Sequence, residues 1–352
     1  MTDRWILCSC LIIALLSQGR AIGTQDPPES TATPSADWTR VAPGGDTACA
    51  FGTPYSFFHR GGASPNLLLI YFQGGGACWN WVSCSGLFDT RVEADELAEF
   101  RGIFDQANPD NPFEDYDAVF VPYCTGDVHI GDTSRMYGDD PSSRPVAHRG
   151  YRNTRAVLDW LAAQGRRRST VVVAGTSAGA YGALFYVPEV RRLFPTATIV
   201  FLGDSGVPLL SDNQQVFQSW GAAKVFSRIW HADGAPPATQ ASLLEAYRQA
   251  AAGGPQVRLA LITSDQDAIQ SAFYLISGSP GWREATYALL RDVKAAVPSF
   301  RSFVVSGSDH GLLPTDAFYS YTVDGVALKD WVDQLVRNEP IGDVRCAQCV
   351  MQ

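Results

Sequence analysis

Short apolar runs rich in β-branched and aromatic residues punctuate the chain at Leu67–Phe72, Ala118–Val121, Thr170–Ala174, Thr198–Leu202, Arg258–Ile262 and Ser302–Val305. Their length and their flanking turn residues predict buried strands. Segments of helical period lie between several of them. Asn153–Ala163 puts Ala156, Val157, Trp160 and Leu161 on one face, with Asn153 or Thr154 as its cap. Ala178–Val187 follows a strand and is expected to stop at Pro188. Ser242–Ala251, Trp282–Val297 and Val326–Val336 also read as helices. Strands alternating with helices predict a three-layer α/β sandwich around a mostly parallel sheet. There is no internal repeat.

The first residues carry a different pattern. Residues 5–16 form an apolar run preceded by Arg4, and the small residues Ala21 and Gly23 follow. This reads as a signal peptide over 1–23, whose apolar run is too short for a membrane span, which needs ~20 residues. Residues 24–37 are rich in Pro, Ser and Thr and read as a flexible linker. One catalytic domain over 38–352 is the simplest organisation. A secreted or periplasmic location follows, with no stable membrane insertion once the leader is removed.

Composition narrows the function classes. The chain has 352 residues, 46% hydrophobic and 18% charged, so it is globular and long enough to bury a large core. Its net charge of -9 disfavours nucleic acid and anionic membrane surfaces as partners. Once Cys8 and Cys10 leave with the leader, six cysteines remain: Cys49, Cys78, Cys84, Cys124, Cys346 and Cys349. An even count in an exported chain predicts disulfides of undetermined pairing. Cys346 and Cys349 form a C-x-x-C with no second such pair, so a structural role is preferred to a zinc or redox site.

The sharpest local signal is Gly175-Thr176-Ser177-Ala178-Gly179, between a strand and a helix. A serine there sits on a sharp turn whose glycines let strand and helix approach. The helix N-terminus adds partial positive charge beside the reacting oxygen. Ser177 is therefore the expected nucleophile. Gln73-Gly74-Gly75-Gly76 follows the strand Leu67–Phe72, where a glycine-rich loop can offer backbone N–H groups to an oxyanion. The expected donors are Gly75, Gly76 and Ala178.

A base and an orienting acid should follow the serine in the order acid, then histidine. His231 and His310 are the histidines after Ser177, and His310 follows a strand directly. His310 is the expected base, and His231 reads as structural or pocket-lining. Asp265 and Asp267 follow the strand Arg258–Ile262; Asp265, nearer the strand end, is the expected acid. Asp309 reads as a turn residue. Gly203-Asp204-Ser205-Gly206 imitates two other serine-hydrolase motifs but falls in the wrong order for either. Asp204 is expected to support the floor of the site rather than activate Ser205. No metal or organic cofactor is implied.

Several runs together resemble the pectin acetylesterase/Notum family in a bacterial-type member. They are Cys49–Tyr55, Phe72–Asn80, Val121–Asp127, His148–Asn153, Gly175–Gly179 and Asp204–Gly206. The resemblance implies an α/β-hydrolase fold, esterase activity, Ser177 as nucleophile, and Asp265 and His310 as acid and base. Gln73 and Ala77 depart from the residues common in the family. The implied function is deacetylation of O-acetylated carbohydrate through an acyl-enzyme, on a polysaccharide or small-molecule ester. The alternatives are an esterase for longer acyl chains and a catalytically silent exported binding protein. Trp79 and Trp81, after the glycine loop, and Trp220 and Trp230, in an aromatic stretch of helical period over Val216–Trp230, could meet a sugar or an acyl group, although such residues at helical spacing more often form core.

Overall fold

The computed structural model describes residues 38–93, 95–138, 144–207, 213–230 and 242–346. The leader and linker expected over 1–37 lie outside these residues, as do Cys349 and His231. Thirteen strands are described: β1 Thr39–Val41, β2 Phe57–Arg60, β3 Ser64–Phe72, β4 Tyr116–Val121, β5 Thr133–Arg135, β6 Val146–His148, β7 Thr170–Thr176, β8 Thr198–Asp204, β9 Val257–Ser264, β10 Arg301–Val305, β11 Thr322–Val323, β12 Val326–Ala327 and β13 Val344–Arg345. Nine of them form one sheet in the order β1-β2-β4-β3-β7-β8-β9-β10-β13. β1, β2 and β4 pair antiparallel, and every pairing from β4 through β3 to β13 is parallel. All six predicted strands are present within this sheet.

The helices are α1 Trp81–Cys84, α2 Gly150–Ala163, α3 Ala178–Leu193, α4 Asn213–Ser219, α5 Ala222–Ile229, α6 Leu243–Ala251, α7 Ala268–Ile276, α8 Trp282–Ala296, α9 Ala317–Ser320 and α10 Leu328–Val336. Central strands are apolar on both faces because both are covered, as a parallel sheet requires. Alternate residues feed two cores. Val171, Val173, Ile199, Phe201, Leu259 and Leu261 pack into one, together with α2, α3, α6 and α8. Val172, Ala174, Val200, Leu202, Ala260 and Ile262 pack into the other, with α10 and Trp38. This is a three-layer α/β-hydrolase-type sandwich.

Four sequence expectations need correction. α3 runs on past Pro188 to Leu193. A proline inside a helix costs ~3 kcal/mol, but every residue from Ala178 to Val190 is buried, so packing outweighs the lost hydrogen bond. The cap of α2 is Arg149; Asn153 lies inside the helix and bonds both ways to the Ala48 backbone. The aromatic stretch over 216–230 is two helices, broken where Gly221 adopts φ +67. Val326–Ala327 is a strand, and the helix begins after it.

Two disulfides brace the side of the sheet that bears the glycine loop. Cys49 pairs with Cys124 just after β4, and Cys78 pairs with Cys84 across α1. Cys346 is also disulfide-bonded. Among the described residues, no helix is long and apolar enough to cross a membrane.

Candidate active site

Ser177 stands alone between β7 and α3 with φ 56 and ψ -124. That conformation is strained for a serine, and such strain persists only where the surroundings impose it. Here they do. A Cβ on Gly179 would lie 1.9 Å from the Phe72 carbonyl oxygen, so this helix start fits against β3 only with glycine. The Ser177 N–H donates to the Asp204 carbonyl at 2.8 Å. The side chain of the preceding Thr176 donates to Asp204 Oδ2 at 2.9 Å and accepts from Tyr71 at 2.8 Å. The turn is thereby fixed to β8 and β3, and Ser177 retains a little exposure, 8%.

The glycine loop lies directly against this turn. A Cβ on Gly74 would come within 3.0 Å of Ser177 Cβ. Gly76, at φ +74, approaches the Leu87 carbonyl so closely that a Cβ would sit 1.9 Å from its oxygen. The Gly75 carbonyl accepts from Asp89 N–H at 2.9 Å. Among the described residues, no acceptor in the chain takes the N–H groups of Gly74, Gly75, Gly76 or Ala178. Gln73 anchors the loop from below: its Oε1 accepts from Tyr123 N–H at 3.0 Å, and its carbonyl meets His129 Nε2 at 2.9 Å.

His310 leaves the end of β10 on a loop gripped at both ends. Gly307 N–H donates to Asp265 Oδ1 at 3.1 Å before it. After it, Gly311 N–H donates to Ser205 Oγ, and Leu312 and Leu313 N–H groups donate to Asp204 Oδ2 at 2.7 and 2.8 Å. A Cβ on Gly311 would lie 2.9 Å from Thr176 Cγ2, so the residues beside His310 and Ser177 are in contact.

The carboxylate that meets His310 is Asp267, at 2.8 Å from Nδ1. The expectation of Asp265 is corrected by this geometry. Asp265 turns instead to Arg283 of α8 at 2.9 Å and to Gly307. Asp267 is fully buried and caps α7 by accepting from Gln270 N–H at 2.9 Å. Its position just before the apolar run Ala268–Ile276 is the cap signal that could have identified it.

Asp204 is buried beneath both segments, and burial pushes its carboxyl up to about 6. Ser205 is sealed from solvent and spends its hydroxyl on Asp204 and Gly311. Asp204 thus supports the floor, as the sequence suggested. Trp220 and Trp230 are buried core residues. Trp79 packs its ring 6.1 Å from Phe273, and Trp81 is 61% exposed at the start of α1. His129 and Gln270 were not anticipated from sequence. Gln270 donates to the Ser205 carbonyl at 2.6 Å and accepts from Tyr181 at 3.1 Å. A cavity of about 430 Å³ opens near the N-terminal ends of β3 and β4, lined by Asp110, Asp115, Asp330 and Arg337 among others, and shares no residue with this site.

The chain is similar to known proteins. The family model for pectinacetylesterase matches residues 39–273, a span holding Ser177, Asp265 and Asp267. The chain is 28% identical over 161 residues to pectin acetylesterase 4 of Arabidopsis thaliana, covering 44% of this chain and 39% of that protein. It is 27% identical over 180 residues to the human palmitoleoyl-protein carboxylesterase NOTUM, covering 47% of this chain and 35% of that one. The matched segment therefore spans well under half of either relative. The Wnt deacylase Notum from Drosophila superposes with a TM-score of 0.58 at 17% identity, over 85% of this chain and 94% of that structure.

Proposed function

The chain belongs to the pectinacetylesterase family, and from that premise we propose that it is a serine carboxylic-ester hydrolase working through Ser177, His310 and Asp267. The observation that carries the reading is the bond from buried Asp267 to His310 Nδ1, on a loop packed against the strained Ser177 turn. With Nδ1 engaged, the imidazole has Nε2 available for a proton.

Ser177 Oγ attacks the ester carbonyl, and His310 takes its proton. The tetrahedral oxyanion is received by the N–H groups of Gly75, Gly76 and Ala178, which no group of the chain otherwise occupies among the described residues. His310 then protonates the departing alcohol, leaving an acyl-enzyme on Ser177. Water repeats the sequence and frees the acid. Asp267 fixes the tautomer and offsets the imidazolium charge.

For substrate, we assign O-acetylated carbohydrate, in line with the name of the plant relative, a pectin acetylesterase. Exposed Trp81 supports this reading as a face on which a sugar ring can stack. Export to an oxidising compartment is part of the same proposal; the two disulfides support it.

The test is hydrolysis of p-nitrophenyl esters from acetate to palmitate by the wild type and Ser177→Ala. The expected result is fastest cleavage of acetate and loss of turnover in the variant. Fastest cleavage of long chains would replace the acyl assignment, and an active Ser177→Ala would overturn the nucleophile.

A further inference from the structure

A buried histidine that the mechanism does not use lies beneath the glycine loop. His129 is 2% exposed and is reached through two consecutive residues at positive φ, Val128 at 46 and His129 at 68. For a β-branched valine that conformation is a genuine outlier, and such strain is retained where the surroundings over-determine it. The surroundings are explicit. His129 N–H donates to Asp127 Oδ1 at 3.1 Å, and its carbonyl accepts from Tyr186 at 2.9 Å. The ring stands edge-on to Phe72 at 5.1 Å and against Tyr123 at 4.9 Å. Gly182 of α3 faces it so closely that a Cβ there would lie 2.8 Å from the imidazole.

All of this packing aims one ring nitrogen at one target, with Nε2 lying 2.9 Å from the Gln73 carbonyl oxygen. A carbonyl only accepts, so the proton resides on Nε2. Burial pulls the imidazole down to about 4, which leaves it neutral in the working range of an esterase. The consequence lies one bond further on. In a trans peptide the C=O and the next N–H point in opposite directions. A carbonyl held toward His129 turns the Gly74 N–H away from it, at a residue whose Cα abuts Ser177.

We propose that His129 is a positioning residue for the oxyanion loop: its Nε2–H fixes the Gln73–Gly74 peptide from which the loop departs, and so sets the aim of the following Gly75 and Gly76 amides at the reacting oxygen. The proposal rests on the esterase reading above. Preorganised donors matter most where charge develops, so the effect belongs to the transition state rather than to substrate binding.

The test compares wild type, His129→Phe, which keeps a ring but removes the donor, and His129→Gln, which restores an N–H. The readouts are kcat, KM and the affinity of an alkyl boronic acid, whose serine adduct carries a tetrahedral oxyanion. In His129→Phe, kcat is expected to fall between about tenfold and a hundredfold with KM little changed, below the loss from deleting a donor outright. Boronate affinity falls in parallel, and His129→Gln recovers part of both. A folded His129→Phe with wild-type kcat and boronate affinity overturns the proposal, whatever its melting temperature. If phenylalanine is not accommodated, His129→Met carries the same comparison. Ser177→Ala, assayed alongside, separates the two failures. If it is inactive while His129→Phe is unchanged, only the positioning role is lost; if it is active, the assignment of Ser177 as nucleophile, on which the proposal rests, fails.

Discussion

At the residue scale, the site turns on which of two aspartates, two positions apart, faces His310. Asp265 was favoured from the sequence because it stands nearer the strand end. β9 runs to Ser264, a turn takes up Asp265 and Gln266, and the helix cap falls on Asp267. The length of that turn is set by packing of α7 and by Gly307, whose carbonyl accepts from Gln266 N–H at 3.0 Å. No local pattern reports it. Ser177 and His310 could be singled out because Ser177 directly follows β7, His310 lies on the loop after β10, and each carries its chemistry in its own residue type. The two aspartates now predict different variants. Asp267→Asn is expected to cost about 10³–10⁴ in kcat by leaving the imidazole in the wrong tautomer. Asp265→Asn should keep activity within a few fold. Parallel ester assays check both, and equal losses in the two variants would contradict the assignment.

At the element scale, the loops after β3, β7, β8, β9 and β10 meet at one edge of the sheet, the arrangement expected of an open α/β sheet. Asp204, at the end of β8, links two of them. It accepts from Thr176 beside Ser177 and from the amides of Leu312 and Leu313 on the loop that carries His310. Asp265 performs a similar task on the other side, joining Gly307 to Arg283 of α8. Its variant is therefore expected to lose stability, by roughly 1–3 kcal/mol for one partner of a nearly buried pair, in a denaturant titration. The six central strands were legible because each is a compact apolar run. The outer strands β1, β2 and β13 were not, since their short, partly polar segments become strands only by pairing with a neighbour. Pro188 misled for the opposite reason: burial along α3 overrides the local rule.

At the scale of the whole molecule, four buried ionisable groups set opposing trends in stability with pH. His129 and His148 are each lowered by burial from 6.5 to about 4. Across that window the unfolded chain binds the extra proton, so their contribution is lost as pH falls from 6.5 to 4. Asp127 and Asp204 are each raised by burial from 3.8 to about 6. There the folded chain binds the extra proton, so their contribution is lost as pH rises from 3.8 to 6. The two pairs nearly cancel. His148→Gln removes one histidine and leaves the carboxylates ahead. Relative to wild type, its unfolding free energy is expected to fall by about 2 to 3 kcal/mol as pH rises from 4 to 6. Denaturant titrations at several pH values check this, and a difference from wild type that does not change with pH would contradict it.

Covalent labelling asks whether Ser177 is the nucleophile proposed for this esterase. The folded protein is treated with a fluorophosphonate, digested, and the modified peptide identified by mass spectrometry. One phosphonylated residue is expected, Ser177, with ester hydrolysis lost in step with labelling. Modification at Ser205 or elsewhere, or full hydrolysis after Ser177 is labelled, would contradict it.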